Sequence, residues 1–260
     1  MSFFRKKYGV IATAASAALL LAACGGGSDK KDSGSEKTET GFVETVENEG
    51  EPIDGEKTLR VALVGDSAFS GIFNTEFSEN ADDSTLYSFS NGEVLTQDES
   101  YQWNTEFVDG VLGKLDYDED RNVATITIKE GAMWQGNDEV EPEEVTVDDI
   151  IFTYEVVAHT DYPGVRFNDD FRPVKGVEEY NAGEADTISG LTALDDYTLE
   201  IEFIEPVGFQ VYQAGGLIWA YASPRHYLGD LEITEIVDSP QVREKPIGFG
   251  PFQVNKMVPC

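Results

Sequence analysis

Two runs decide how this sequence reads: Ile128-Lys129-Glu130-Gly131-Ala132-Met133-Trp134-Gln135-Gly136 and, beyond an acidic stretch, Val147-Asp148-Asp149-Ile150-Ile151-Phe152-Thr153-Tyr154-Glu155. The first run leaves a strand. Thr125, Ile126, Thr127 and Ile128 alternate as a half-buried strand should, and Leu112 to Tyr117 supplies a partner. The residues between them, Asp118-Glu119-Asp120-Arg121-Asn122, are polar turn chemistry, so Val123 to Ile128 is predicted as the second arm of a hairpin. The second run opens a helix. Thr146 stands at the N-cap position with Asp149 three residues on, and acidic groups in a first turn suit the helix dipole. Val147, Ile150, Ile151, Tyr154 and Ala158 follow at helical spacing, which predicts a helix packed through one face.

Outward from this pair, Thr58 to Val64 reads as a strand and Gly65 to Gly71 as a loop. Ile188 to Leu191 and Thr198 to Phe203 give further strands, with Asp195-Asp196 between them. Leu217 to Tyr221 is apolar and aromatic, and Gly248-Phe249-Gly250-Pro251 is a turn before a predicted strand, Phe252 to Val258. Strands and helices mix without strict βαβ alternation or internal repeat, so the class is α/β or α+β. The 260 residues, 40% of them hydrophobic, suffice for a packed core. A formal charge of −32 argues against nucleic acid and against attraction to anionic headgroups. Two cysteines exclude a disulfide scaffold, and two distant histidines leave little room for a His-based metal centre.

The N-terminus concerns destination. Arg5, Lys6 and Lys7 precede Val10 to Ala23, 14 mostly small apolar residues without charge. That is short for a transmembrane span, which needs roughly 20 residues, but suits a signal-peptide core. The run ends Leu21-Ala22-Ala23-Cys24-Gly25, which resembles a bacterial lipobox, in which the cysteine is lipidated and becomes the first mature residue. Ordinary secretion with cleavage at an Ala-x-Ala-like site is the alternative. Removing residues 1–23 takes away three basic and no acidic residues and leaves a charge of −35. Acyl chains, at about 0.8 kcal/mol per buried methylene, would hold Cys24 at the membrane. Residues 24–57, rich in Gly, Ser, Glu and Thr, read as a flexible tether, and residues 58–260 as the folded part.

Catalytic signatures are weak. Val61-Ala62-Leu63-Val64-Gly65-Asp66-Ser67 resembles the nucleophile block of GDSL-type esterases, which would make Ser67 the nucleophile of a surface hydrolase. The supporting Asp-x-x-His is missing, since Val156 precedes His159 and Ser223 precedes His226 at that spacing. Asp116, Asp118 and Asp120 alternate like the start of a calcium loop, but Arg121 and Thr127 occupy the positions that need Gly and Glu. The acidic run Glu139, Glu141, Glu143, Glu144, Asp148 and Asp149 reads as a solvated surface rather than a carboxylate pair. Tyr101, Trp103, Trp134, Trp219 and Tyr221 are candidates for a ligand cleft or for core, with Trp219 and Tyr221 the most evenly balanced.

Six segments, in order, resemble the family 5 extracellular solute-binding proteins of oligopeptide ABC transporters (the OppA/AppA-like group). They are the lipobox and tether; Leu59 to Ala62 with Phe69 to Glu76; Ile128 to Gly136 with Val147 to Glu155; Val177 to Tyr180 with Gly183 to Leu191 and Asp195 to Thr198; Ser223 to Tyr227; and Pro246 to Phe252. Gln135-Gly136-Asn137 replaces the family's usual Asp-Gly, and Asp138 to Val145 is a longer acidic insertion. The resemblance implies an α/β, periplasmic-binding-protein-like fold of the type II, two-lobed kind, a clamp that closes on an extended peptide through main-chain hydrogen bonds. Family members run to roughly twice this length, so it implies that only the first lobe with its extra subdomain is present, as an N-terminal fragment.

The implied function is that of the lipid-anchored binding component of an importer, not an enzyme, at the outer face of the bacterial cytoplasmic membrane. Its partners would be an oligopeptide, a permease and ATPase subunits, with no nucleic acid, cofactor or metal. The implied ligand-facing residues are Ala68, Phe69, Ser70, Gly71, Ile72 and Phe73; Ser88, Phe89, Ser90 and Asn91; and Trp219, Ala220 and Tyr221. A surface hydrolase, or a related binder of a non-peptide ligand, is the alternative.

Overall fold

An antiparallel four-stranded sheet of order β1-β2-β4-β3 organises the residues that a computed structural model describes, 69–214 and 216–256. β1 (Gly113–Asp118) and β2 (Val123–Ile128) form the expected hairpin, with Leu115 opposite Ile126. The turn closes where Arg121 N donates to Asp118 Oδ1. β4 (Thr198–Glu202) pairs with β2, Leu199 opposite Ile126, and β3 (Leu191–Asp195) lies at the outer edge. Alternation then sorts the two faces. Leu115, Ala124, Ile126, Ile128, Leu199 and Ile201 are buried on one. Lys114, Asp116, Thr125 and Glu200 fall on the other, where Arg121 pairs with Glu200 at 2.7 Å.

The strand predicted at Ile188 to Leu191 begins only at its last residue. Ile188 is buried in the core instead, and Leu191 N closes a turn onto Ile188 O. Gly190 N donates to Lys175 O, and a Cβ there would stand 2.6 Å from that oxygen, too close for a side chain.

Helix α1 (Ala81–Ser88) is capped by Asn80, whose Oδ1 accepts from Asp83 N. Helix α2 (Val147–Ala158) starts as the sequence predicts: Thr146 N donates to Asp149 Oδ2 at 3.1 Å, one half of a capping box. It departs from the one-faced expectation. Val147, Ile150, Tyr154, Val157 and Ala158 enter the main core, while Phe152 and Val156 enter a second cluster with Phe77, Leu228, Ile236 and Val242. Phe152 and Val156 are four residues apart and so share a second helical stripe, which needs its own cover. Three short helices supply it: α4 (Arg225–Leu228), α5 (Ile233–Ile236) and α6 (Pro240–Arg243). Arg225 ties α4 to α2 through Asp148 and Glu155, both at 2.7 Å, with its guanidinium over the Phe152 ring. A further short helix, α3 (Val177–Asn181), precedes β3.

Two readings near the sheet change. The acidic run is only partly a solvated surface. Trp134 N donates to Glu143 O and Val145 N to Ala132 O, so the insertion folds back along residues 132–134. Lys245 grips Asp138 at 3.0 Å and Glu139 at 2.6 Å, and Glu144 accepts from Gly131 N and the Tyr197 hydroxyl. Phe252 to Lys256 carries no strand. Side-chain amides hold it instead: Gln135 Nε2 donates to Gly250 O and Phe252 O, and Gln253 Nε2 donates to Gly136 O.

Candidate ligand-facing wall

An extended segment, 219–224, leads into α4 along α2 and is fastened at every second residue. Trp219 N donates to Tyr154 Oη at 2.8 Å, and Thr153 Oγ1 donates to Tyr221 O. Ser223 N donates to Asp149 O, and Arg225 N to Asp149 Oδ1 at 3.0 Å. Asp149 and Thr153 are four residues apart and share one stripe of the helix, and the next residue, Tyr154, brings its hydroxyl to the Trp219 end of the segment. The fastening leaves Trp219 and Tyr221 as a pair, rings 4.7 Å apart, with Phe171 at 5.5 Å behind Trp219. Tyr221 is 37% exposed and Ala220 is buried between them.

The candidate aromatics therefore separate. Trp134 is core: it is fully buried, its Nε1 donates to Asp149 Oδ2 at 2.9 Å, and Phe249 packs edge-on at 5.0 Å. Trp103 is buried as well, and Tyr101 stands at an exposed turn with φ +58°. Burial raises the Asp149 carboxyl above the usual aspartate range, against the Trp134, Arg225 and Thr146 hydrogen bonds and the charge of His226, which lower it. Burial likewise raises the Tyr154 hydroxyl.

The second candidate segment, 69–73, is strapped rather than loose. Phe69 and Phe73 meet edge to face at 5.2 Å. Ser70 N donates to Asp83 Oδ1 at 2.8 Å, and the Ser70 hydroxyl bonds the other carboxylate oxygen. Arg243 donates to Ser70 O and Phe73 N to Val242 O. Gly71 has φ +80°, where a side chain would be strained. Beside the segment, Ser70, Ile72, Phe77, Glu79, Asn80, Pro163, Gly164 and Val237 line a pocket of about 460 Å³.

The third, Ser88 to Asn91, is engaged elsewhere. Gly250 N donates to Ser90 O, Phe89 and Phe252 rings stand 6.3 Å apart, and Gly248 presses on Ser90 and Asn91. Its contacts run to the Gly248–Phe252 turn, and none of the contacts described here joins it to Trp219 or Tyr221. Ala68, Ser67 and Cys24, with the Thr58 to Val64 strand, lie outside the described residues.

Sequence reasoning missed the residues that join the first two segments. Glu76, Asn74 and Ser223 are buried. Glu76 N donates to Asn74 Oδ1 at 2.9 Å, Asn74 Nδ2 to Ser223 Oγ at 3.2 Å, and Ser223 Oγ to Glu76 Oε2 at 2.9 Å. The Tyr162 hydroxyl bonds Glu76 O. A polar residue inside an otherwise apolar wall was the available signal. That signal is weak, because only Asn74 is near in sequence, while Ser223 and Tyr162 lie 147 and 86 positions away.

This arrangement, an antiparallel sheet backed by one long helix with an aromatic pair held on that helix, belongs to an α/β fold of the type II periplasmic-binding-protein kind. The sequence model for bacterial extracellular solute-binding proteins, family 5 (middle region) matches residues 106–259, and the chain belongs to that family. It is 30% identical over 156 residues to the oligopeptide-binding protein OppA of Lactococcus lactis subsp. cremoris (strain SK11), an alignment covering 59% of this chain and 25% of that protein. It is 26% identical over 208 residues to the oligopeptide-binding protein AppA of Bacillus subtilis, covering 78% of this chain and 32% of that one. Among solved structures, lactococcal OppA complexed with an endogenous peptide in the closed conformation superposes with a TM-score of 0.65 at 26% identity, over 75% of this chain and 35% of that one. Listeria monocytogenes OppA bound to peptide shares the fold, with a TM-score of 0.53 at 16% identity over 73% of this chain and 35% of that one. The chain thus spans about a quarter to a third of the length of these relatives.

Proposed function

We propose that this chain is the oligopeptide-capturing part of an ABC importer, held on the outer face of the bacterial cytoplasmic membrane by lipid on Cys24, and that it hands peptides to a permease and its ATPase subunits. It supplies the first lobe and extra subdomain of a two-lobed clamp. The observation that carries this reading is the 30% identity to an oligopeptide-binding protein over 156 residues. The aromatic pair Trp219 and Tyr221 and the strapped segment 69–73 are the surfaces this reading assigns to the peptide. Extended peptides are captured mainly through main-chain hydrogen bonds, so a fixed apolar wall and open pockets serve many sequences. Capture and release need no nucleophile, and the reading assigns no catalysis.

A thermal-shift screen of the full chain tests it. Peptides of mixed sequence should raise the melting temperature in proportion to occupancy. A shift produced by a sugar or by Ni²⁺ but by no peptide overturns the reading. Expression in a Gram-positive host tests the anchor: the protein should fractionate with membranes, and Cys24→Ala should release it to the medium.

A further inference from the structure

The pocket beside segment 69–73 has one charged side chain among the described residues of its lining. Ile72, Phe77, Pro163 and Val237 give it apolar walls, Ser70 and Asn80 add polar edges, and Glu79 brings a carboxylate. Glu79 is exposed, and its side chain makes no hydrogen bond or ion pair among the described residues. A cavity of about 460 Å³ has the size of a small-ligand pocket, and apolar walls with a few placed polar groups are what such pockets use to fix orientation.

No cation among the described residues answers that carboxylate. The charged groups bonded to the pocket's walls balance one another instead. Arg243 donates to Ser70 O and is paired with Asp238 at 2.8 Å. Arg166 bonds Ser78 O, between Phe77 and Glu79. Asp83, fully buried, accepts from Ser70 N at 2.8 Å and from the Ser70 hydroxyl. The two guanidiniums and two aspartates cancel in formal charge, and Glu79 is left over as an unanswered negative charge at the mouth of an apolar pocket.

We propose that this pocket receives a basic side chain of the captured peptide, lysine or arginine, with its aliphatic stem along Ile72, Phe77, Pro163 and Val237 and its cation at Glu79. The proposal rests on the peptide reading above for its ligand and adds a side-chain preference to it. Lysine and arginine combine an apolar stem with a charged head, and their stems lie along apolar surface while the head stays near water. Both parts of the pocket are then used. A purely aliphatic side chain leaves Glu79 unanswered, and a carboxylate side chain meets it as a like charge. Because Glu79 is exposed, the preference is modest and fades with added salt.

Fluorescence anisotropy with the full chain tests this. The probes are labelled, alanine-rich nonapeptides with both termini blocked, so that no terminal charge contributes, in which a single lysine, norleucine or glutamate is moved along the chain. At the best position, at low salt, the lysine peptide should bind about three- to fivefold more tightly than its norleucine counterpart, the scale of one partly exposed ion pair, and the glutamate peptide more weakly than either. Glu79→Gln should remove the lysine advantage and Glu79→Lys should reverse the order. Glu119→Gln, an exposed carboxylate of the β1–β2 turn outside the pocket, should keep it, which separates the pocket from the general negative charge of the chain. A wild type without lysine advantage at any position, an advantage that survives Glu79→Gln, or a preference for glutamate overturns the proposal. Should no peptide bind, thermal shift with n-hexylammonium against n-hexanol decides between the two readings. A shift by the ammonium that Glu79→Gln loses supports the cation pocket and overturns the peptide reading alone, and the absence of such a shift overturns both.

Discussion

The hydroxyl of Tyr154 accepts the backbone N–H of Trp219 at 2.8 Å, so the last position of the Phe152-Thr153-Tyr154 run fixes where the aromatic wall begins. Tyr154 is fully buried. Tyr154→Phe keeps the ring and removes the acceptor, leaving a backbone donor unpaired. The expected cost is about 1–3 kcal/mol, read by urea unfolding, with a change in Trp219 emission that a distant core substitution would not produce.

Asp149 serves three donors at once: Trp134 Nε1, Thr146 N and Arg225 N. Asp149→Ala removes both acceptor oxygens and with them all three hydrogen bonds. Stability should fall by about 3 kcal/mol or more, since each orphaned group carries its own desolvation penalty. Asp149→Asn keeps an acceptor at the site and should lose clearly less in the same unfolding experiment.

Gly248 marks the closest backbone approach in the molecule's Pro246 to Phe252 motif. A Cβ there would lie 2.0 Å from Ser90 O, a backbone atom that has little freedom to move. Gly248→Ala should destabilise by about 1–3 kcal/mol through overpacking. Gly110→Ala meets no atom within 4 Å, yet sits at φ +80°, so its smaller loss would be strain alone. Calorimetry of the two variants separates the mechanisms.

Glu76 and Asp149 both have carboxyls raised by burial. A raised acid keeps its proton in the folded state where the unfolded chain has lost it. Stability is therefore full below the ordinary carboxylate values and declines as pH rises through the folded values. Glu76→Gln should melt higher than wild type at about pH 7 and match it near about pH 4. Glu200 and Asp138, lowered by hydrogen bonds from Arg121 and Lys245, act in the opposite sense, losing their contribution on acidification. Melting temperature against pH for the two proteins isolates the Glu76 part.

The hairpin and the start of α2 were legible because each is fixed by neighbours in sequence: a polar turn between alternating runs, and an N-cap with its Asp149. The second buried stripe of α2 was visible in Phe152 and Val156, but what covers it arrives far downstream, in α4 to α6. The edge strand β3 was displaced because Ile188 serves the core and Gly190 must let Lys175 O approach. Residues 252–256 have strand composition, yet the Gln135 and Gln253 amides take backbone groups that a ladder would use. For the wall, Trp219 and Tyr221 were legible as aromatics. Glu76 was not, since its meaning lies in Ser223, 147 positions away.

That separation also has a meaning in time. At a synthesis rate of about 5–20 residues per second, roughly 7–30 s pass between the emergence of Glu76 and of Ser223. Throughout that interval the carboxylate belongs to water, and the hairpin of β1 and β2, whose contacts are local, has long been able to form. The wall is thus closed late, by Ser223 and then by Val242 and Arg243 returning to residues 70–76. A sequence change that delays or misplaces Ser223 would be felt first at Glu76, in a segment the ribosome finished with long before.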